Sequence, residues 1–219
     1  MIIDYRTTRY CPSYINLAQE KNNVCNEIRR DHPRAIDMHR YIRRNDERYK
    51  TLFMSAYNSK CAYCGVSLDI ISRETFEVDH FIYESSFPTK AEAGYIENLV
   101  LSCYNCNRKK KSFLISEKLR RMLHPDSDSI KSIFIRNEDY YIEPFMRPRV
   151  HYVGLKKTEI FNFFTQLNLG GELRRIDYLL MNMIGLRKTM QDKPEIYKML
   201  GEAIDKMKEG RNTNLIHCR

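Results

Sequence analysis

Apolar residues follow a helical spacing in the first part of the chain. Over residues 36–56 they recur about every 3.6 positions, which predicts a long helix with Pro33 in its first turn. Basic side chains are interspersed among these apolar positions. We therefore expect a helical amino-terminal region, including a basic helix, over residues 1–54.

The helical period disappears in the middle of the chain. Residues 75–80 have the composition of a short strand between turns. One helix is expected to begin around Tyr104 to Asn107, and a second to cover 116–123. Residues 55–125 are therefore predicted to form a mixed core, and the fold class to be α+β.

The region 126–219 is expected to contain a hairpin followed by helices. Short apolar segments at 133–136 and 140–142 flank turn-forming residues and predict the hairpin. Three blocks with helical spacing follow, at 155–167, 172–190 and 194–208. Their apolar faces either pack on the core or dock a partner protein, and the sequence leaves both open.

Positive charge is concentrated in two stretches of the chain. The sequence has 37 basic and 28 acidic side chains, a formal charge of +9. Residues 29–60 and 103–123 carry +5 and +6, whereas residues 61–102 carry −5. Two basic arms beside an acidic centre favour a polyanionic partner such as nucleic acid, with carboxylates left for a cation.

The apolar runs are too short for a membrane span. They all fall below the roughly 18 residues that a spanning helix requires. The amino end carries Asp4, Arg6 and Arg9, where a signal peptide would need an apolar stretch. A cytoplasmic protein without a membrane partner is expected.

Four of the seven cysteines form two Cys-x-x-Cys pairs, Cys61 with Cys64 and Cys103 with Cys106. Four thiolates complete the tetrahedral shell of a zinc ion and leave no open position, so this zinc is predicted to be structural. A redox dithiol is the competing interpretation of a single pair, but two pairs favour zinc.

Residues within and just after these pairs resemble a known family. The dipeptide Asp79-His80 and then Asn98 lie between the two cysteine pairs. Asn107 follows nine residues after Asn98, directly after the second pair, and a basic tract comes next. This combination closely resembles the HNH endonucleases and their ββα-metal fold, over roughly residues 55–115. The fold implied is an HNH core with a four-cysteine zinc site, flanked by helices.

The resemblance implies a role for each residue of the motif. His80 would be the general base that takes a proton from the attacking water, which suits an imidazole titrating near neutrality. Asp79 and Asn107 would bind a catalytic Mg²⁺ or Mn²⁺, since oxygen donors suit a hard ion. Asn98 would brace the loop that carries the base.

Two sets of basic residues are candidates for phosphate contacts. One set follows the proposed metal ligand Asn107 directly, and the other lies on the amino-terminal helix. A solvated helix face is the alternative interpretation of each set. The residues are Arg108, Lys109, Lys110, Lys111, Arg40, Arg43 and Arg44.

The chain beyond the core resembles a narrower group. Residues 123–126, the predicted hairpin and a helical tail containing 167–169 look like the PtuB-type HNH proteins of Septu and retron anti-phage systems. Those proteins work beside an SMC/ABC-like (PtuA-like) ATPase, so the tail would dock on such a partner.

Two functions follow from the sequence. The first is a metal-dependent endonuclease that cuts DNA. The second is a zinc-ribbon module that binds nucleic acid or protein without cutting. Both predict zinc and basic arms, but only a nuclease has a reason to assemble Asp79, His80 and Asn107.

Overall fold

The computed structural model describes residues 3–11, 14–43, 47–145 and 155–217. Helices surround a two-stranded antiparallel sheet, and a second small hairpin lies beyond it, so the α+β fold class is confirmed. The helices are α1 (Leu17–Asp31), α2 (Met38–Arg43), α3 (Glu47–Ala56), α4 (Lys90–Ala93), α5 (Tyr104–Lys110), α6 (Glu117–Leu123), α7 (Ile130–Ile133), α8 (Leu155–Gln166), α9 (Glu172–Thr189) and α10 (Pro194–His217). The strands are β1 (Phe76–His80), β2 (Leu99–Cys103), β3 (Phe134–Arg136) and β4 (Ile142–Pro144).

The predicted long helix corresponds to α2 and α3, and residues 44–46 between them lie outside the described residues. The first of these helices, α2, begins at Met38 rather than near Pro33. Its start is set by Asp37, whose carboxylate accepts a hydrogen bond from the backbone N–H of Arg40 at 3.1 Å and caps the helix. Ile36 is 54% exposed, so it does not belong to the buried face that its spacing indicated. The packing of α1 against α3 was not anticipated from the sequence pattern.

The central sheet places the second cysteine pair beside the start of β1. β1 and β2 pair antiparallel with Phe76 opposite Cys103 and His80 opposite Leu99. Because α5 begins directly after Cys103, Cys106 lies within its first turn. Strand β2, which pairs with β1 and continues directly into α5, therefore positions the end of β1, the second cysteine pair and α5 relative to one another.

The carboxyl-terminal elements lie close to their predicted positions. β3 and β4 form the expected hairpin, and α8 and α9 end within one residue of the expected bounds. α10 continues to His217 instead of ending at 208, and it packs along α9. The division into three regions stays a prediction. Among the described helices, none is long and apolar enough to cross a membrane.

Candidate active site

The four paired cysteines form one buried cluster. The ligand atoms of Cys61, Cys64, Cys103 and Cys106 all lie within 4.8 Å of one another, and the Cys64 and Cys103 sulfurs are 3.8 Å apart. Tetrahedral zinc with bonds of about 2.3 Å has sulfur–sulfur edges of about 3.8 Å. The cluster therefore fits a metal ion with this geometry, and its four thiols fill the shell.

Gly65 closes the first cysteine loop. Its backbone N–H donates to the Cys61 carbonyl at 2.9 Å, and its φ of +80° lies in the left-handed region that favours glycine. A Cβ at this position would lie 2.7 Å from the Arg6 carbonyl oxygen. The Arg6 guanidinium in turn donates to the Ala62 carbonyl, so the amino-terminal segment packs directly on the loop.

A buried arginine from α9 also contacts the cluster. Arg174 is 2% exposed and donates to the Cys106 sulfur at 3.2 Å. Arg174 lies 4.0 Å from the buried Asp177 carboxylate, which accepts from Arg211 of α10 at 2.6 Å. These three side chains connect the cysteine cluster to both long carboxyl-terminal helices, which the sequence did not suggest.

Two polar pairs join β1 to α5. The Asn107 amide nitrogen donates to Glu77, and Lys110 one turn further donates to Asp79. Strand alternation puts Glu77 and Asp79 on one face of β1, while the three-residue spacing puts Asn107 and Lys110 on one face of α5. Two of the proposed metal ligands, Asp79 and Asn107, thus lie at the same interface with different partners.

Asp79 is the deeper of these two residues. It is 6% exposed, and its carboxylate accepts from the Tyr63 hydroxyl at 2.6 Å and from the Lys110 ammonium at 3.2 Å. Burial raises the pKa of Asp79 to about 6, although the Lys110 charge acts in the opposite direction. The hydrogen bond from Tyr63 and the charge of Lys110 therefore stabilise the buried Asp79 carboxylate.

His80 ends β1 and lines a cavity of about 360 Å³ between β1 and α2, here called the His80 cavity. The rings of His80 and His39 contact each other in a tilted arrangement, with centroids 4.3 Å apart and planes at 45°. Burial, and then the neighbouring His39, lower the pKa of His80 to about 4. The imidazole is therefore neutral at physiological pH. The other cavity residues are Asp37, His39, Arg40, Arg43, Glu84 and Lys90.

Asn107 lines a second cavity of about 340 Å³, here called the Asn107 cavity. His39 and Arg43 line both cavities, so the two share a wall formed by α2. Asp79 lines neither of them. The other polar residues of the Asn107 cavity are Lys50, Glu74, Glu77 and Arg108.

The Asn98 side chain holds the loop that follows His80. Its amide oxygen accepts from the Ile82 N–H at 2.8 Å, and its nitrogen donates to the carbonyls of Ile82 and Ala93, each at 2.9 Å. The side chain is buried, at 9% exposure, and lines neither the His80 cavity nor the Asn107 cavity. Its place is that of a support and not of a reacting group.

The basic candidates divide by exposure. Arg40 and Arg43 are exposed and line the His80 cavity, and Arg108 is exposed and forms an ion pair with Glu77 at 3.0 Å. Lys109 and Lys111 are exposed, whereas Arg44 lies outside the described residues.

Lys110 departs from the expected phosphate contact. Its side chain is 2% exposed, and its ammonium binds Asp79 and donates to the carbonyls of His80 at 2.8 Å and Phe81 at 3.3 Å. A side chain committed to these buried partners is not available to a phosphate group in the solvent. Lys110 instead fastens α5 to the end of β1.

The donor atoms around the Asn107 cavity include oxygens, the atom type that binds hard cations. Glu77 supplies a carboxylate and Asn107 an amide oxygen, both of which Mg²⁺ and Mn²⁺ accept. Participation of Asp79 would require its carboxylate to leave the Lys110 ammonium. The Glu77 carboxylate is likewise occupied, by the Asn107 amide nitrogen and by Arg108, so all three residues would bind a cation only after exchanging these contacts.

Two residues of this site were not anticipated. Glu77 was detectable in principle, because alternation along β1 places it on the same face as Asp79. His39 had no local signal, because it lies 41 positions before His80 and meets it only through the packing of α2 on β1.

The comparison with protein families matches the same region. Residues 61–113 match the family described as HNH endonuclease. This segment contains both cysteine pairs, β1, β2 and α5. The match therefore places an HNH endonuclease domain over this segment of the chain.

The chain is also similar to one curated protein, and this similarity is more specific than the family match. The chain is 29% identical over 105 residues to the Septu protein PtuB of Bacillus mycoides (strain KBAB4). The alignment covers 42% of this chain and 35% of that protein, so the chain spans about a third of the relative's length. No solved structure matches the chain. The resemblance to HNH endonucleases of the PtuB type is confirmed by these two matches.

Proposed function

We propose that this chain is a metal-dependent endonuclease that hydrolyses phosphodiester bonds in DNA. The observation that carries the proposal is the position of His80, a neutral imidazole at the end of β1 that lines a cavity with an exposed basic rim. That cavity adjoins the oxygen donors Glu77 and Asn107.

His80 acts as the general base in this proposal. Being unprotonated near neutral pH, it takes the proton of a water molecule that attacks the scissile phosphorus. Asn98 supports the loop after the base through its three hydrogen bonds. Asn107, Glu77 and Asp79 would hold a Mg²⁺ or Mn²⁺ ion, which would supply charge stabilisation to the phosphate and the leaving oxygen.

The cysteine cluster holds a structural zinc ion in this proposal. Four buried thiols with tetrahedral spacing support that assignment, and the filled shell separates this ion from the catalytic one. Reduced cysteines of this kind are consistent with a cytoplasmic protein.

Nucleic acid enters along the basic residues on both sides of the shared cavity wall. Arg40 and Arg43 come from α2 and Arg108 from α5, and all three are exposed. Their contacts with phosphates give affinity without base specificity. Lys109 and Lys111 extend the same basic surface.

The similarity to a Septu protein supports a role in anti-phage defence. We place the chain as the effector nuclease of a Septu or retron system, acting beside an SMC/ABC-like ATPase of the PtuA type. The exposed apolar residues Ile196 and Met199 on α10 support docking through the carboxyl-terminal helices.

Plasmid nicking with Mg²⁺ or Mn²⁺, with and without the co-expressed ATPase, tests the proposed function. Wild type is expected to nick DNA, and His80→Ala to lower the rate by about 100-fold or more. His32→Ala is the matched control, because His32 stacks on Tyr41 away from both cavities.

Unchanged cleavage by His80→Ala would remove the base assignment. DNA binding without cleavage under every metal, even with the ATPase present, would support the zinc-ribbon binding module instead.

A further inference from the structure

The amino-terminal helix α2 contributes a second histidine to the centre occupied by His80. His39 lies outside residues 61–113, the segment that matches the HNH family. Its ring lies against the His80 ring in a tilted arrangement, and α2 packs on β1. The helix that carries His39 therefore contacts the strand that carries the proposed base.

The packing of α2 holds His39 in place. Met38 and Ile42, on either side of His39 along the helix, are 1% and 0% exposed, and α2 packs on β1. A helix anchored on both sides leaves its intervening side chain little freedom to move. The His39 ring is therefore a fixed surface against which the His80 ring lies.

His80 has limited support from its own strand. It is the last residue of β1, and only part of its side chain is buried. A general base must stay within hydrogen-bond reach of the water that it deprotonates, and small misplacements are costly to the rate. The ring contact with His39 restricts the rotation of His80 while His80 still lines its cavity.

We propose that His39 is a positioning residue for His80, which makes α2 a functional part of the nuclease centre. This inference rests on the proposed function of His80 as the base. His39 acts through its ring contact and not by touching the reacting atoms. Because His39 also lines the Asn107 cavity, its ring forms part of the wall between the two cavities.

Steady-state nicking kinetics test this role with three variants. His39→Ala is expected to lower kcat on the order of 10-fold with KM for plasmid little changed, because orientation and not DNA affinity is lost. His39→Phe keeps a ring in the same place and is expected to restore most of kcat. His32→Ala removes a comparable stacked ring, on Tyr41, and is expected to match wild type.

A spectroscopic measurement separates positioning from general stability. In ¹⁵N-labelled protein, the ring resonances of His80 are expected to shift and broaden in His39→Ala and to stay near wild type in His32→Ala. Full kcat in His39→Ala, or unchanged His80 resonances, would overturn the proposal even if the nuclease function stands.

Failure of the nuclease function itself has a different signature. Absence of cleavage by wild type with metal and ATPase would reject the proposed function. The His80 resonances would then decide by themselves whether His39 orders that ring.

Discussion

Asp79 and Lys110 form a buried ion pair directly beneath the end of β1. Their side chains are 7% and 2% exposed, and the oxygen–nitrogen distance is 3.2 Å. Two charges removed from water stabilise the fold only while both are present, because each alone lacks a partner. Tyr63 supplies the remaining hydrogen bond to the carboxylate.

We predict that Lys110→Met lowers the free energy of unfolding by about 3 kcal/mol, because Asp79 loses its charge partner in the interior. Urea denaturation measures this change. Lys109→Met, on the exposed side of the same helix, is the control and should lie within about 0.5 kcal/mol of wild type. Adding Asp79→Asn to Lys110→Met is expected to recover part of the loss. Equal stabilities for the two single lysine variants would contradict the pairing.

The buried His124 side chain makes the stability of the fold depend on pH. Burial lowers its pKa below 6.5, and the charges of Lys21 and Arg6 act in the same direction, whereas Asp126 and a hydrogen bond to the Glu97 backbone oppose them. The unfolded chain therefore binds a proton more readily than the folded one.

The stability associated with His124 is fully present above pH 6.5, its unfolded value, and decreases as pH falls through 6.5 toward the lower folded pKa. We predict that His124→Gln shows a smaller loss of unfolding free energy than wild type between about pH 7.5 and about pH 5.5. His39 and His80 have pKa values shifted in the same direction, so part of the slope remains. Parallel pH profiles of the two proteins would refute the assignment to His124.

At the scale of elements, the first cysteine loop depends on one glycine. We predict that Gly65→Ala destabilises the protein by about 1–3 kcal/mol and weakens metal retention, because φ is +80° and the new Cβ meets the Arg6 backbone. Gly210→Ala is the control. Nothing lies within 4 Å of its Cβ position in α10, so helix propensity should leave stability unchanged or slightly higher. Melting temperature and bound zinc, measured on both variants, distinguish the sites.

Elements governed by local patterns were predicted well from the sequence. Strand alternation, helical spacing and turn residues all act over a few positions. These patterns predicted β1, α5, α6, the β3–β4 hairpin and the starts of α8, α9 and α10. The cysteine pairs were also predictable, because Cys-x-x-Cys spacing is itself a ligand geometry.

Features that depend on contacts distant in sequence were not predictable. Apolar spacing across 36–56 could not reveal that Ile36 faces solvent. Lys110 lies in a basic tract typical of phosphate binding, and only its proximity to Asp79 in space assigns it to the interior. His39 meets His80 through the same kind of distant contact.

At the scale of the whole molecule, the two basic stretches converge on one place. Arg43 on α2 and Arg108 on α5 line the same cavity although they lie 65 positions apart. The acidic segment between them contributes Glu77 to that cavity and the buried Asp79 beneath it. The fold thus surrounds a small set of oxygen donors with cations, as the charge distribution along the sequence suggested.

The Arg174 contact to Cys106 extends the cysteine cluster to the far end of the chain. A tetrathiolate zinc site carries net negative charge, and a buried guanidinium donating to one thiolate offsets it. We predict that Arg174→Gln speeds zinc release to a colorimetric chelator about 10-fold. Arg175→Gln, which removes a more exposed pair with Glu172, should release zinc at the wild-type rate. Identical release from both variants would show that Arg174 does not influence the metal.

Because Asp177 and Arg211 continue this contact into α10, metal occupancy of the cysteine cluster would be linked to the order of the last two helices. Without a metal-bound thiolate beside them, Arg174 and Arg211 would be two buried cations facing one carboxylate, and separation of α9 and α10 from the core would relieve that imbalance. A partner bound to those helices would then hold the zinc more tightly, and the zinc would strengthen the partner's binding by the same factor.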